Sequence, residues 1–134
     1  MAHVTDRDLG LKAFIRQLEV ARTVEVAVGI HSNAVSDGQS IAFYGACNEF
    51  GTDKGIPERS FMRSSFDENI GRIQSDMDQQ AGMVMSGRKD IRSALATVGE
   101  KHQIRIKAKI RSNIQPANDP QTIKRKKSSR TLID

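Results

Sequence analysis

Cysteine is nearly absent from this chain of 134 residues: Cys47 stands alone, which excludes an internal disulfide framework and any multi-cysteine zinc site. Tryptophan is missing, and five Phe with one Tyr are too few for an aromatic platform that stacks nucleic-acid bases. No apolar run approaches the roughly 20 residues of a membrane-spanning helix. The first residues, Met1-Ala2-His3-Val4-Thr5-Asp6-Arg7-Asp8, lack the basic and then apolar layout of a secretion signal. The expected compartment is the cytoplasm, or an assembly built there. There is also no phosphate-cradling Gly-rich loop, no Gly-x-Ser-x-Gly turn and no metalloprotease helix motif.

The residues that could carry chemistry do not form a constellation. Histidines 3, 31 and 102 have no metal-ligand spacing. His102 falls on an apolar helix stripe, where a satisfied core or interface histidine is the expected role. Cys47, on a small-residue helix face, reads as a buried apolar side chain. Asp76 and Asp78, two apart on a helix, face different directions and read as a solvated face. No enzyme, cofactor or metal site is expected.

Charge is present but unevenly placed. Residues 1–100 hold 11 Lys/Arg against 14 Asp/Glu, whereas residues 101–134 hold 10 against 2. A nearly balanced body thus carries a basic end, which suits a polyanion or an acidic protein surface. On a helix, Lys101, Arg105, Lys109 and Arg111 would line one side, with Lys107 turned away. No recognised nucleic-acid motif accompanies them, so sequence-specific DNA binding is not expected.

The chain reads as α+β, with residues 1–113 forming a core domain and 114–134 an extended basic arm. A helix is expected over 5–21, with Thr5 as N-cap and Leu11, Phe14, Ile15 and Leu18 on one stripe. Val24, Val26, Val28 and Ile30 alternate with Glu25, Ala27, Gly29 and His31 as in a half-buried strand. Its partner would come from 32–38, from the arm or from another subunit. A polar loop with an Asp37-Gly38 turn leads to a short helix over 39–50. A long helix over 60–85 is predicted from Met62, Phe66, Ile70, Ile73, Met77, Ala81 and Val84, with Gly87 closing it. Another, over 89–112, follows Ile91, Leu95, Val98, His102, Ile106 and Ile110. Residues 104–111 also alternate like a strand, but the helical template explains more of the segment. The expected fold is a small antiparallel sheet containing 24–31, packed against the two long helices. Pro116 and Pro120 then precede the basic run Lys124-Arg125-Lys126-Lys127.

Two segments resemble a known family. The first is Ala46-Cys47-Asn48-Glu49-Phe50-Gly51-Thr52, followed by Ile56-Pro57-Glu58-Arg59-Ser60-Phe61-Met62-Arg63. The second runs from Ile114-Gln115-Pro116 through Thr122-Ile123-Lys124-Arg125-Lys126 to Arg130-Thr131-Leu132-Ile133-Asp134. Their order and spacing resemble the virion morphogenesis proteins of tailed bacteriophages, the neck and tail-completion family. Members of that family usually continue past Leu-Ile-Asp with Thr-Gly and a further strand or hairpin, which this sequence does not contain.

The resemblance implies a structural virion protein of the neck or upper tail, a tail-completion, tail-terminator or head–tail joining component. It would assemble in the host bacterial cytoplasm as a homo-oligomeric ring, a hexamer, on the tail tube protein or beneath head-closure and connector proteins. Genomic DNA would pass through the lumen without sequence-specific binding, and no membrane is involved. Interface residues are expected at Glu49, Phe50, Gly51, Thr52, Pro57, Arg59 and Phe61, and in the arm at Lys124, Arg125, Lys126, Lys127, Leu132 and Ile133. Gly51 would permit a backbone conformation closed to other residues, Pro57 would fix the approach to the long helix, and Phe61 and Met62 would anchor its first turn. Arg59 would cap a neighbouring carbonyl or pair with an acid of an adjacent subunit. Ile123, Leu132 and Ile133 read as spaced apolar anchors, which favours docking of the arm on protein over DNA. Two other readings stay open: a well-made helix–turn–helix joint, and a small basic nucleic-acid-binding module.

Overall fold

The computed structural model describes Thr5 and residues 7–132, and the chain divides into two compact units. The first joins Met1–Ala27 to Gly71–Glu100, and the second joins Val28–Ile70 to Lys101–Asp134. Among the described residues there are five helices and one two-stranded antiparallel sheet. The α+β reading holds at that coarse level, with helix dominating. Helices α3 (Met62–Met85) and α4 (Ile91–Arg111) each contribute residues to both units.

In the first unit, α1 covers Leu11–Ala21. It begins at Leu11 rather than Thr5 because Gly10 sits at φ 116°, outside helical space, while Asp8 Oδ1 accepts from the amides of Gly10 (3.0 Å) and Lys12 (3.4 Å). Its apolar stripe is not core: Leu11 is 66% exposed, and Ile15 and Leu18 are exposed too. Helix α3 ends as its sequence predicts. Gly87 takes φ 70°, its amide donates to Val84 O (3.0 Å), and Arg88 N donates to Met83 O (2.9 Å). Asp90 starts α4 by accepting from Ser93 N at 3.0 Å, and Gln17 on α1 accepts from Ile91 N at 2.9 Å. Lys89 Nζ donates to Gln80 Oε1 (2.8 Å) and Thr97 Oγ1 (2.6 Å), fastening α3 to α4. Val84, Ala94 and Val98 are the buried apolar side chains here.

The second unit corrects the expected sheet. No strand forms over 24–31. The sheet is instead a minimal hairpin, β1 (Val35–Ser36) with β2 (Gln39–Ser40), in the register Val35 to Ser40. Asp37 (φ 51°) and Gly38 (φ 74°) supply the two left-handed residues of its turn. Alternation at 24–30 marks a segment that suits a strand, but a strand needs a neighbour for its amides and carbonyls. Among the described residues nothing pairs with it. Ser40 then caps α2 (Ile41–Phe50), accepting from Phe43 N at 3.3 Å.

Residues 104–111 are helical, which settles the helix-or-strand ambiguity. The arm is not extended throughout. It holds α5 (Pro120–Lys126), whose N-cap Asp119 accepts from Gln121 N (2.8 Å) and Thr122 N (2.9 Å). The segment also closes on itself: Asn113 Oδ1 accepts from Thr131 N at 3.0 Å, and Asn118 Nδ2 donates to Arg130 O at 2.9 Å. Asp119 followed by Pro120 is a helix-start signal that the proline punctuation masked.

The long helices differ in how they use their apolar stripes. In α4, Val98 and Ile106 are buried and Ile91, Leu95, His102 and Ile110 half-buried, as periodicity predicts. In α3 the predicted stripe faces largely outward, with Phe66, Ile70 and Met77 at 45, 47 and 49% exposure. The covered positions include Ser65, Asn69, Asp76 and Gln80, small or polar residues off the predicted stripe, together with its members Met62, Ile73 and Val84. Asp76, expected on a solvated face, is half-buried.

Candidate functional site: the joint between α2 and α3

The Glu-Phe-Gly-Thr and Ile-Pro-Glu-Arg-Ser-Phe stretches come together as one joint in the second unit. Glu49 is at its centre, 4% exposed, on the last turn of α2. Its carboxylate lies at the start of α3, where helical amides have no internal partners. Oε2 accepts from Phe61 N (2.8 Å) and Met62 N (2.9 Å), while Oε1 accepts from Arg63 N (3.0 Å) and Ser60 Oγ (2.8 Å). A negative charge against the positive end of a helix is also favourable electrostatically. Burial opposes ionisation of Glu49, but the donations from Met62, Arg63, Ser60 and Phe61 outweigh it, and its pKa falls from 4.5 to about 2.

Arg63 closes the arrangement from outside. Its Nε meets Glu49 Oε1 at 3.1 Å, and its Nη2 reaches Glu49 O (2.9 Å) and Glu58 Oε1 (2.7 Å). The guanidinium stands 4.8 Å from the centroid of the Phe50 ring, which is itself exposed. The hydrogen bonds to Glu49 and Glu58 raise the Arg63 pKa. Sequence reasoning did not single out Arg63, although it ends the Ile56–Arg63 stretch.

The turn is built around Gly51 and Thr52. Gly51 adopts φ 71°, and a Cβ there would lie 2.9 Å from Glu58 N and 3.1 Å from Ile56 O. Thr52 N donates to Ile56 O (2.8 Å), and Thr52 Oγ1 accepts from Ile56 N (3.2 Å). Pro57 is exposed at the tip, and Arg59 N donates back to Asn48 O at 2.7 Å. Phe61 anchors the first turn of α3, as expected, and is 4% exposed.

Arg59 is the second buried charge. It caps carbonyls, but those of its own chain: Nε donates to Pro116 O (2.7 Å) and Nη2 to Ala117 O (3.2 Å). Burial lowers its pKa. Glu49, Arg59 and Phe61 therefore face the interior of their own unit, while Phe50 and Pro57 face out. In the C-terminal segment Lys124, Arg125 and Lys127 are exposed, and Lys126 and Leu132 are half-buried. Ile133 lies outside the described residues.

An apolar cleft of about 320 Å³ adjoins the joint, lined by Ile30, Tyr44, Phe61, Ile106, Ile110 and Leu132 among others. His102 is half-buried on α4, its ring edge-on to Phe66 with centroids 5.9 Å apart. Its Nδ1 is buried without a hydrogen-bond partner within the chain, so of the expected core or interface roles the satisfied core one is not met. Burial, then the charge of Arg105, lowers its pKa. Of the predicted basic row, Lys101, Arg105 and Lys109 are half-buried and Lys109 pairs with Glu68, so the row is not a free solvated face. Among the described residues, no three His, Cys, Asp or Glu side chains gather where a metal ion could be held, and no helix is long and apolar enough to cross a membrane. A scan against protein-family models, a search of curated proteins and a search of solved structures each returned no match.

Proposed function

We propose that the chain is a non-enzymatic structural subunit that assembles as a homo-oligomeric ring in the neck or upper tail of a tailed bacteriophage. In that role it caps the tail tube and joins it to the head. The observation that carries the assembly part of the reading is the misplaced apolar surface. Phe66 and Ile70 on α3, Phe43 and Phe50 on α2, and Leu11, Ile15 and Leu18 on α1 are exposed, while few apolar side chains are buried among the described residues. Single exposed apolar residues are ordinary, but whole helical stripes of them mark surfaces covered by a partner. Repetition of one such contact around an axis closes a ring.

The phage part of the reading rests on the two resembling segments. Their residues hold one rigid joint, in which Glu49, Gly51, Arg59 and Phe61 fix α2, α3 and residues 116–117 to each other. A joint of that kind fits a part that must present docking faces at set positions. The test is deletion of the gene from its phage, with electron microscopy of the lysate and of the purified protein. The reading expects rings from the protein and unjoined heads and tails from the mutant. Normal joined particles in the deletion lysate would reject it, and duplex-DNA binding by a protein that stays monomeric would favour the small basic nucleic-acid-binding module.

A further inference from the structure

Among the described residues, the loop between Asn113 and Thr131 concentrates exposed charge of a single sign. Its two ends meet through Asn113 Oδ1 and the Thr131 amide and hydroxyl, at 3.0 and 3.2 Å. Its base is held by Arg59 on the carbonyls of Pro116 and Ala117. Inside this closed loop stand Lys124, Arg125, Lys126, Lys127 and Arg130 against a single acid, Asp119. That acid already accepts from Gln121 N, Thr122 N and Thr122 Oγ1, so it is engaged in starting α5. Lys124, Arg125, Lys127 and Arg130 are all exposed, and closure brings Arg130 beside the end of α4, where Arg111 is exposed as well.

Among the described residues, two of the three apolar side chains that would favour docking on protein are partly covered. Ile123 and Leu132 are half-buried, and Leu132 lines the apolar cleft of its own unit. What the loop offers outward is cationic side chains without an apolar centre. Protein interfaces have a buried apolar or aromatic centre. A nucleic-acid backbone needs none, because its affinity comes from cations neutralising phosphates and releasing counterions. The absence of Trp, and of aromatic residues within 113–131, removes base stacking as a contribution.

We propose that loop 113–131 is a contact surface for the phosphate backbone of duplex DNA, indifferent to base sequence, with Lys124, Arg125, Lys127 and Arg130 as its phosphate-binding residues. The inference rests on this loop alone and does not require the ring. Contacts of this kind are weak singly and exchange readily, so they hold DNA without fixing its position.

The test is fluorescence anisotropy of the full chain with two labelled 20-base-pair duplexes of unrelated sequence, between 50 and 200 mM salt. With four phosphates neutralised, affinity should fall about 100-fold across that range, equally for both duplexes. Replacing Lys124→Ala, Arg125→Ala and Lys127→Ala together should cut the salt dependence to about a quarter, with an unchanged circular dichroism spectrum. Polyglutamate serves as the acidic-protein probe. Binding to polyglutamate but not to DNA would overturn the proposal in favour of an acidic protein partner. Absence of DNA binding at 50 mM salt, or binding that the triple variant leaves intact, would overturn it as well.

Discussion

Helices α3 and α4 carry the same kind of apolar periodicity, yet α4 buries its stripe within the chain while α3 turns Phe66, Ile70 and Met77 outward and packs Ser65, Asn69 and Gln80 inward. Ser65 is 0% exposed and its hydroxyl has no hydrogen-bond partner, and Gln80 is held by Lys89. A helix that hides small and polar residues from solvent while exposing Phe and Ile is poorly arranged for life alone. The same helix suits a subunit whose second apolar contact comes from another chain. Periodicity reports that a face will be covered; it does not report by which molecule.

That contrast can be broken most severely at Val98, which is buried in α4. Val98→Asp places an unpaired charge in the interior and should cost more than about 3 kcal/mol, enough to leave much of the protein unfolded in a urea titration. Ile70→Asp, on the outward stripe of α3, should change stability by less than about 1 kcal/mol in the dissociated chain. Equal losses at both positions would mean that the two stripes play the same part.

The next largest effect belongs to the joint. Because the folded Glu49 carboxyl titrates near 2 and its ordinary value is 4.5, ionisation favours the folded chain. This contribution is complete above about pH 4.5, amounts to about 3 kcal/mol, and is lost as pH falls towards 2. Glu49→Gln should lower the melting temperature at pH 7 and flatten its decline between pH 4.5 and 2. A variant with the wild-type acid profile would remove Glu49 from that role.

Gly51→Ala should destabilise less than Val98→Asp or Glu49→Gln. A Cβ 2.9 Å from Glu58 N, on a residue at φ 71°, should cost about 1–2 kcal/mol, read as a shift in the urea midpoint. Because Gly51 lies in the joint and not on an outward stripe, self-association of the folded variant should be unaffected.

The sequence made local features legible. Helices α2, α3 and α4 begin and end within two residues of expectation, Gly87 closes α3, and Gly51 takes the special conformation foreseen for it. Features that depend on distant partners were not legible. Glu49 stood out as part of a motif, but its partners are amides 12 to 14 positions away that no helical spacing connects to it. Arg59 reaches across 57 residues to Pro116. The strand expected over 24–31 failed for the converse reason, since alternation can be read from one segment whereas pairing requires two. The extended arm hid a short helix because its prolines were read as breaks, although Pro120 occupies the first turn, where a missing amide costs nothing.

The central claim, that the outward face of α3 is made for another copy of this chain, is tested most directly by sedimentation velocity. The protein should sediment as a discrete closed oligomer, with six copies as the expected number. The double variant Phe66→Asp with Ile70→Asp should sediment as a monomer with an unchanged helical circular dichroism spectrum. A wild-type chain that remains monomeric at high concentration, or a double variant that assembles as the wild type does, would contradict the account.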